Sequence, residues 1–181
     1  KFVDVGAPIS SGEDLWRLFN PLKPGLNRVE ADELSYGLHI LIRTDLEIAL
    51  LEGGLEVEEL PLQWNFLYKD LLGVQPKNDS EGCLQDVHWS EGMFGYFPSY
   101  LLGHLISAQL TDTLEKDIGK IEDIIKSKKI STILEWLRKN VHHYGRSLDS
   151  EELVKNVSGL ELSPNYFLEY LDNKVEKLST I

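Results

Sequence analysis

The sequence predicts an all-α fold, organised as a single helical domain over residues 1–181. Apolar residues recur at helical spacing in successive segments, and proline, glycine or a capping residue marks the ends of those segments. No run of alternating apolar and polar residues reaches the length of a strand. With 181 residues, 42% of them hydrophobic, the chain is long enough to bury a sizeable core.

The first half of the chain contains a predicted loop over 1–12 and three predicted helices. The helices cover 13–19, 29–51 and 60–72. The third opens with Leu60 and Pro61, and proline favours the first turn of a helix, while Gly73 is its predicted C-terminal cap. Trp64, Leu67 and Leu71 are predicted to face inward, because they follow one another at helical spacing.

The second half contains five predicted helices, separated by short loops. They begin at residues 98, 121, 132, 150 and 164. Ser131 is the predicted N-cap of the third of these, which ends at Gly145. Asp149 and Glu152 have the spacing of a capping box at the start of the fourth.

The long helix predicted over 29–51 carries two lines of side chains at helical spacing. An apolar line, predicted to face the core, comprises Leu34, Leu38, Leu41, Ile42, Leu46, Ala49 and Leu50. A polar line comprises Asp32, Tyr36, His39 and Arg43. The polar line is either a solvated face with an i,i+4 pair or a row of functional-site residues, and spacing alone favours the solvated face.

Composition and charge indicate which classes of partner and which cellular location suit the chain. The net charge of −12 and a pI near 4.8 argue against nucleic acid or an anionic membrane surface as a partner, and solubility is the ordinary reason for such a charge. Cys83 is the single cysteine, so no internal disulfide can form, and a cytoplasmic protein is the simpler interpretation. No apolar run approaches the length of a membrane span, and the first residues do not resemble a signal peptide.

The stretch 82–100 concentrates the side chains that a substrate pocket needs. Its polar and aromatic residues include Gln85, Asp86, His88, Trp89, Tyr96 and Tyr100. Three glycines lie among them, which argues against a simple helix or strand. Pro98 and the apolar run after it indicate a helix N-terminus. We therefore expect a polar loop that is held by the start of a buried helix.

The residues by themselves do not indicate a complete catalytic centre. None of the five histidines has a second His four residues later, and no His-Glu-x-x-His pattern occurs. Asp86 with His88 would supply only two metal ligands, so this chain alone is not expected to hold a catalytic zinc. Cys83 lies five residues before His88, which is a weak indication of a nucleophile, and no Gly-x-Ser-x-Gly elbow occurs.

Recognisable motifs are spread along nearly the whole chain. Residues 82–89 read Gly-x-x-Gln-Asp-x-His-Trp, and 95–100 read Gly-Tyr-Phe-Pro-x-Tyr. Together they resemble the signature of the carboxypeptidase Taq family of zinc metallocarboxypeptidases. Residues 27–32 resemble the family's Ile-Arg-x-x-Ala-Asp motif, with Asn27 in place of Ile, Leu or Val, so a local packing change is expected there. The stretches 136–146 and 158–167 resemble the family's C-terminal helices.

The resemblance implies an all-α, zinc-dependent enzyme that releases single residues from peptide C-termini, with an architecture like that of neurolysin. Family members bind zinc through two His of a His-Glu-x-x-His helix and a downstream Glu, the Glu of that motif is the general base, and zinc-polarised water attacks the last peptide bond. These residues are expected upstream of Lys1, which would make this chain an inactive C-terminal part of the enzyme. The resemblance also implies peptide substrates and a homodimer.

By the same resemblance, His88 and Tyr96 are the candidate catalytic residues. They match positions expected to contact the substrate and the developing oxyanion, where a hydrogen-bond donor stabilises the transition state. Without the resemblance, a buried core histidine and a packed aromatic would be the simpler interpretations. Trp89 and Tyr100 are candidate substrate-binding residues that form walls of the pocket.

Three further candidates for substrate binding are Arg28, Gln85 and Asp86. Arg28 matches the motif arginine, and a guanidinium can bind the terminal carboxylate of a peptide through two hydrogen bonds. The alternative for Arg28 is a structural salt bridge, for example with Asp32 or Glu33. Gln85 and Asp86 are expected to orient His88 and the loop.

A hypothesis of a different class is a helical protein-interaction module that has lost catalysis. The two hypotheses differ in what they expect upstream of Lys1. A His-Glu-x-x-His helix upstream in the same polypeptide would favour the enzyme.

Overall fold

The computed structural model describes residues 11–180, and those residues form eight α-helices and no strand, which confirms the predicted all-α class. We name the helices in chain order: α1 (Gly12–Phe19), α2 (Glu33–Leu51), α3 (Leu60–Leu67), α4 (Phe97–Ile118), α5 (Ile121–Lys126), α6 (Ile130–Asn140), α7 (Ser150–Ser158) and α8 (Asn165–Thr180). None of these helices is long and apolar enough to cross a membrane. The chain divides into two compact units, Lys1–Pro98 and Ser99–Ile181. The single domain predicted over 1–181 stays a prediction.

The N-terminal ends of α1 and α2 are set by side-chain caps. Ser11 and Asp14 form a capping box at α1, so the predicted loop over 1–12 gives way to helix at its last residue, while its first ten residues lie outside the described part. Asp32 caps α2 by accepting a hydrogen bond from the backbone N–H of Ser35 at 2.8 Å. The helix predicted over 29–51 therefore begins later, at Glu33.

The core of the first unit lies between α2, α3 and the following loop. Its buried residues are Ile42, Leu46, Trp64, Tyr68, Leu72 and Cys83. Trp64 and Tyr68 stack with ring centres 4.9 Å apart, which confirms the inward position predicted for Trp64. The Arg43 guanidinium lies 4.6 Å from the centre of the Trp64 ring, so the apolar core continues directly into a polar cluster.

Two residues of the polar line of α2 are buried and the other two, Asp32 and Tyr36, are partly buried, so the interpretation of this line as a solvated face is wrong. His39 and Arg43 are both 0% exposed. Conversely, Leu34 and Leu41 of the predicted core-facing line are 42% and 43% exposed. The physical reason is that Arg43 meets a buried counter-charge, Asp86, which lies 43 residues away in the sequence.

The end of α3 also differs from the prediction. The helix continues as a π-helical turn, Tyr68–Leu72, which Gly73 closes with a φ of 69°. Leu72 is 5% exposed and Leu71 is 41% exposed, so Leu72, not Leu71, faces the core. A π turn accommodates an extra residue, which displaces the inward-facing position by one.

In the second unit, most of the predicted helix ends are confirmed. α5 begins at the predicted residue, Ile121, and the capping box of α7 forms, with Asp149 accepting from the backbone N–H of Glu152 at 2.8 Å. Ser131 is not an N-cap, because α6 already begins at Ile130. The preceding turn, in which Lys128 has a φ of 59°, brings the chain into the helix before Ser131.

The buried side chain of Gln109, on α4, forms hydrogen bonds to the end of α7 and to the connection between α7 and α8. Its side-chain NH₂ donates to the Ser158 hydroxyl at 3.0 Å and to the Glu161 carbonyl at 3.1 Å. Its side-chain oxygen accepts from the backbone N–H of Ser163 at 2.9 Å. Because Gln109 is 0% exposed, both ends of its amide need these partners.

Candidate functional site

The carboxylate of Asp86 lies between two buried arginines. Arg28, in the 3₁₀ turn Arg28–Glu30, donates to Asp86 Oδ1 from Nη2 at 2.6 Å and from Nε at 3.0 Å. Arg43 of α2 donates from Nε to Asp86 Oδ2 at 2.6 Å. The structural salt bridge considered for Arg28 therefore exists, but with a partner 58 residues away. Asp86 joins the turn, the helix and the loop.

The charges of this cluster stabilise one another. Burial by itself would raise the pKa of Asp86, but the hydrogen bonds and positive charges of Arg28 and Arg43 outweigh burial and hold that pKa below its usual value. Burial would lower the pKa of Arg28, and the hydrogen bond and charge of Asp86 raise it instead. Asp86 and Arg28 therefore favour each other's charged form, and removing Asp86 leaves buried guanidinium groups without their counter-charge.

Gln85 completes the attachment of the loop. Its side-chain oxygen accepts from the backbone N–H of Arg28 and from Arg43 Nη2, both at 3.0 Å. Its NH₂ group donates to the carbonyls of Leu26 and Glu81, also at 3.0 Å. These contacts are consistent with the expectation that Gln85 and Asp86 orient the loop.

The turn that carries Arg28 is itself capped by Asn27. The Asn27 side-chain oxygen accepts from the backbone N–H of Val29 at 3.0 Å. The residue that departs from the family's usual apolar choice thus supplies a polar cap to the turn.

His88 and Tyr96 lie side by side, and they differ in exposure. The two ring centres are 5.7 Å apart. His88 is 7% exposed and packs 4.4 Å from the ring centre of Phe97, whereas Tyr96 is 45% exposed. The Arg28 guanidinium lies 5.8 Å from the centre of the Phe97 ring. Three of the predicted site residues are therefore brought together around Phe97, with Tyr96 open to solvent.

Asp86 contacts His88 less closely than its role as an orienting residue would require. His88 Nδ1 is 3.8 Å from Asp86 Oδ1, which is beyond hydrogen-bonding distance. Because Asp86 is committed to the two arginines, its link to His88 is the loop that both residues share.

Trp89 is held from α2 by a residue that the sequence analysis missed. The Trp89 indole N–H donates to Glu47 Oε2 at 3.3 Å, and the other oxygen of Glu47 accepts from the backbone N–H of Gly95. Glu47 is 3% exposed. It lies one helical turn after Arg43, so extending the polar line of α2 by four residues would have found it.

The two residues that remain, Tyr100 and Cys83, lie in different units of the chain. Tyr100 is half-buried in the first turns of α4 and belongs to the second unit, so the structure does not group it with the residues of the first unit. Cys83 is 6% exposed in the core of the first unit, where burial raises the pKa of its thiol. A protonated, buried thiol is a poor nucleophile, which argues against the Cys83–His88 pairing.

His39 is buried in its neutral form, and this predicts pH-dependent stability. Burial, with the charge of Arg43 adding to it, lowers the pKa of His39 to about 4, and its Nδ1 lies 3.0 Å from the Tyr68 hydroxyl. In the unfolded chain the pKa is about 6.5, so below that pH the unfolded state binds more protons than the folded state. We expect about 2 kcal/mol of stability to be lost between pH 7 and pH 5.

Urea unfolding at a series of pH values measures this loss. His39→Asn places an amide near the position of Nδ1 but cannot titrate, so its stability should change much less between pH 7 and pH 5. An equally steep decline in the wild-type and His39→Asn proteins would show that another group is responsible.

The part of the chain that the structure describes does not fit a metal centre. Within residues 11–180, no three His, Cys, Asp or Glu side chains are grouped so that they could hold a metal ion. Asp86, which has His88 as a neighbour, is already committed to Arg28 and Arg43.

Comparison with known proteins identifies relatives along nearly the entire chain. The model of the carboxypeptidase Taq (M32) metallopeptidase family matches residues 5–175. Carboxypeptidase 1 of Bacillus subtilis is 42% identical over 166 residues, which are 92% of this chain and 33% of that protein. Thermostable carboxypeptidase 1 of Thermus thermophilus is 43% identical over 166 residues, 92% of this chain and 32% of that protein.

A solved structure shows the same fold. The M32 carboxypeptidase from Deinococcus radiodurans superimposes with a TM-score of 0.90 at 35% identity, over 94% of this chain and 35% of that one. The chain thus spans about a third of the length of the proteins it matches.

Proposed function

Because this chain belongs to the carboxypeptidase Taq (M32) metallopeptidase family, we propose that it is part of a metallocarboxypeptidase that releases single residues from the C-termini of peptides. The family match over residues 5–175 carries the proposal. The chain spans only about a third of its relatives, so the activity is assigned to the full-length protein. This fragment supplies substrate-contacting residues and should be inactive alone.

In this proposal Tyr96 and His88 face the scissile peptide bond. The support is their placement: Tyr96 is 45% exposed at the end of the loop, and His88 lies directly beside it. A phenol and an imidazole can each donate a hydrogen bond to a carbonyl oxygen as negative charge develops on it. Donors fixed in advance by packing are more effective, because they need not reorganise during the reaction. Phe97 and the anchored loop supply that fixation.

The remaining candidates shape the pocket. Trp89 packs edge-on against Phe97, with ring centres 5.9 Å apart, and we assign it to a wall. Tyr100 is proposed as a second wall residue from the motif alone. For Arg28, the contacts favour holding the loop over binding the substrate's carboxylate, since Asp86 already accepts from its Nε and Nη2.

Zinc is the metal that the resemblance implies, and we propose that its ligands lie outside the described residues. Activity of the full-length protein should then depend on metal. We expect a chelator to abolish release of the C-terminal residue from a blocked dipeptide, and added zinc to restore it. Release that is indifferent to the chelator would contradict the proposal. No release under any metal condition would instead favour the helical interaction module.

We also propose a cytoplasmic location and a homodimer for the full-length protein. The single cysteine supports the first, and the resemblance to the family supports the second. Light scattering of the purified full-length protein tests the dimer, and a mass equal to that of one polypeptide would contradict it.

A further inference from the structure

Glu47 holds both ends of the segment that separates the two candidate catalytic residues. One oxygen of its carboxylate accepts from the indole of Trp89, the residue after His88. The other oxygen accepts from the backbone N–H of Gly95, the residue before Tyr96. A single side chain is thus hydrogen-bonded next to each of the two aromatic rings that the proposed function uses.

The position of Glu47 in α2 makes these contacts rigid. The helix turn before it carries Arg43, which is fixed to Asp86, and its neighbour Leu46 is 2% exposed in the core. Glu47 itself is 3% exposed, so water does not compete strongly for its oxygens.

We infer that Glu47 is a positioning residue that sets the separation of His88 and Tyr96 in the active site. This inference rests on the proposed function, because the separation matters only if both side chains meet the substrate. Glu47 does not touch the substrate itself. It fixes the segment 89–95, and the segment in turn fixes the two rings, whose centres are 5.7 Å apart.

The inference predicts a specific kinetic defect. Glu47→Gln keeps the shape of the side chain but places an NH₂ group against one of the two N–H donors, so one hydrogen bond is lost. Misplacement of a reacting group by about 1 Å can reduce the rate about 100-fold. We expect Glu47→Gln to lower kcat of the full-length enzyme about 10-fold to 100-fold and to change KM by less than about threefold. Glu47→Asp, which is shorter but keeps both acceptors, should recover part of kcat.

Two further measurements separate positioning from simple destabilisation. Amide hydrogen exchange of the segment 93–96 should be faster in Glu47→Gln, because the hydrogen bond from the Gly95 N–H to the side chain at position 47 is lost or weakened. Gln109→Ala is the matched control, since it removes a buried polar side chain from the second unit. Its melting temperature should fall while its kcat stays within about twofold of wild type.

The outcomes are distinguishable. A kcat of Glu47→Gln within about twofold of wild type would overturn the inference, as would a loss of activity that only follows the loss of folded protein. If the wild-type full-length protein released no C-terminal residue, the proposed function would fail and the catalytic role of Glu47 with it. Unchanged exchange in Glu47→Gln at both the Gly95 amide and the Trp89 indole N–H would refute the anchoring itself, whatever the activity.

Discussion

Replacing Asp86 with alanine is expected to destabilise the protein by about 3–5 kcal/mol, the largest stability effect that the structure predicts. The substitution leaves the guanidinium groups of Arg28 and Arg43 buried without their shared counter-charge. Neither arginine can avoid the cost by losing its proton, because the pKa of a guanidinium is too high. Urea unfolding of the wild-type and substituted chains measures the difference.

Two variants calibrate the Asp86 experiment. Asp45→Ala removes an exposed carboxylate from the same α2 helix, and it should change stability by less than about 0.5 kcal/mol. Asp86→Asn keeps the shape of the side chain and one acceptor oxygen. Its loss of stability should therefore lie between those of Asp86→Ala and Asp45→Ala. If Asp86→Ala were no more damaging than Asp45→Ala, the buried cluster would not hold the loop as described.

Removing the hydroxyl of Tyr96 is expected to lower kcat of the full-length enzyme about 100-fold, with little change in stability. The phenol is 45% exposed, so its hydroxyl is available to a bound peptide. If it donates to the oxygen on which charge develops, Tyr96→Phe removes an interaction that is made chiefly in the transition state. Such a change lowers kcat and kcat/KM by similar factors.

The matched control for Tyr96→Phe is Tyr170→Phe. Tyr170 is also 45% exposed, lies on α8 and is not among the candidate site residues, so loss of its hydroxyl should leave kcat unchanged. Steady-state release of the C-terminal residue from a blocked dipeptide measures both variants. Equal kcat values for Tyr96→Phe and wild type would remove Tyr96 from the catalytic residues.

The helices could be predicted from local sequence, since their ends depend on nearby residues. The capping box of Asp149 and Glu152 and the glycine that closes the π turn are local signals, and both are confirmed. The loop within the stretch 82–100 was also predicted from local sequence, because its glycines and its polar and aromatic residues lie close together in that stretch. The inward position of Leu71 was wrong, because a π turn has no sequence signature that periodicity can detect.

The burial of the polar line of α2 could not be predicted from spacing. Whether Arg43 faces water or the interior depends on Asp86, which is distant in sequence, and helical periodicity carries no information about such a partner. Spacing would have placed Glu47 on the same line, one helical turn after Arg43, but it would not have predicted that Glu47 is buried. In the sequence alone, Arg43 and Glu47 look like residues of a solvated face, because the loop that they bind is distant along the chain.

A crystal structure of the full-length protein with a non-hydrolysable peptide analogue tests the central claim most directly, namely that the anchored loop forms one wall of the substrate cleft. We predict that the hydroxyl of Tyr96 or a ring nitrogen of His88 lies about 3 Å from the carbonyl oxygen or its analogue at the last peptide bond. The Asp86 and Glu47 contacts should be unchanged in that complex. A peptide bound elsewhere, with Tyr96 and His88 both remote from it, would contradict the account.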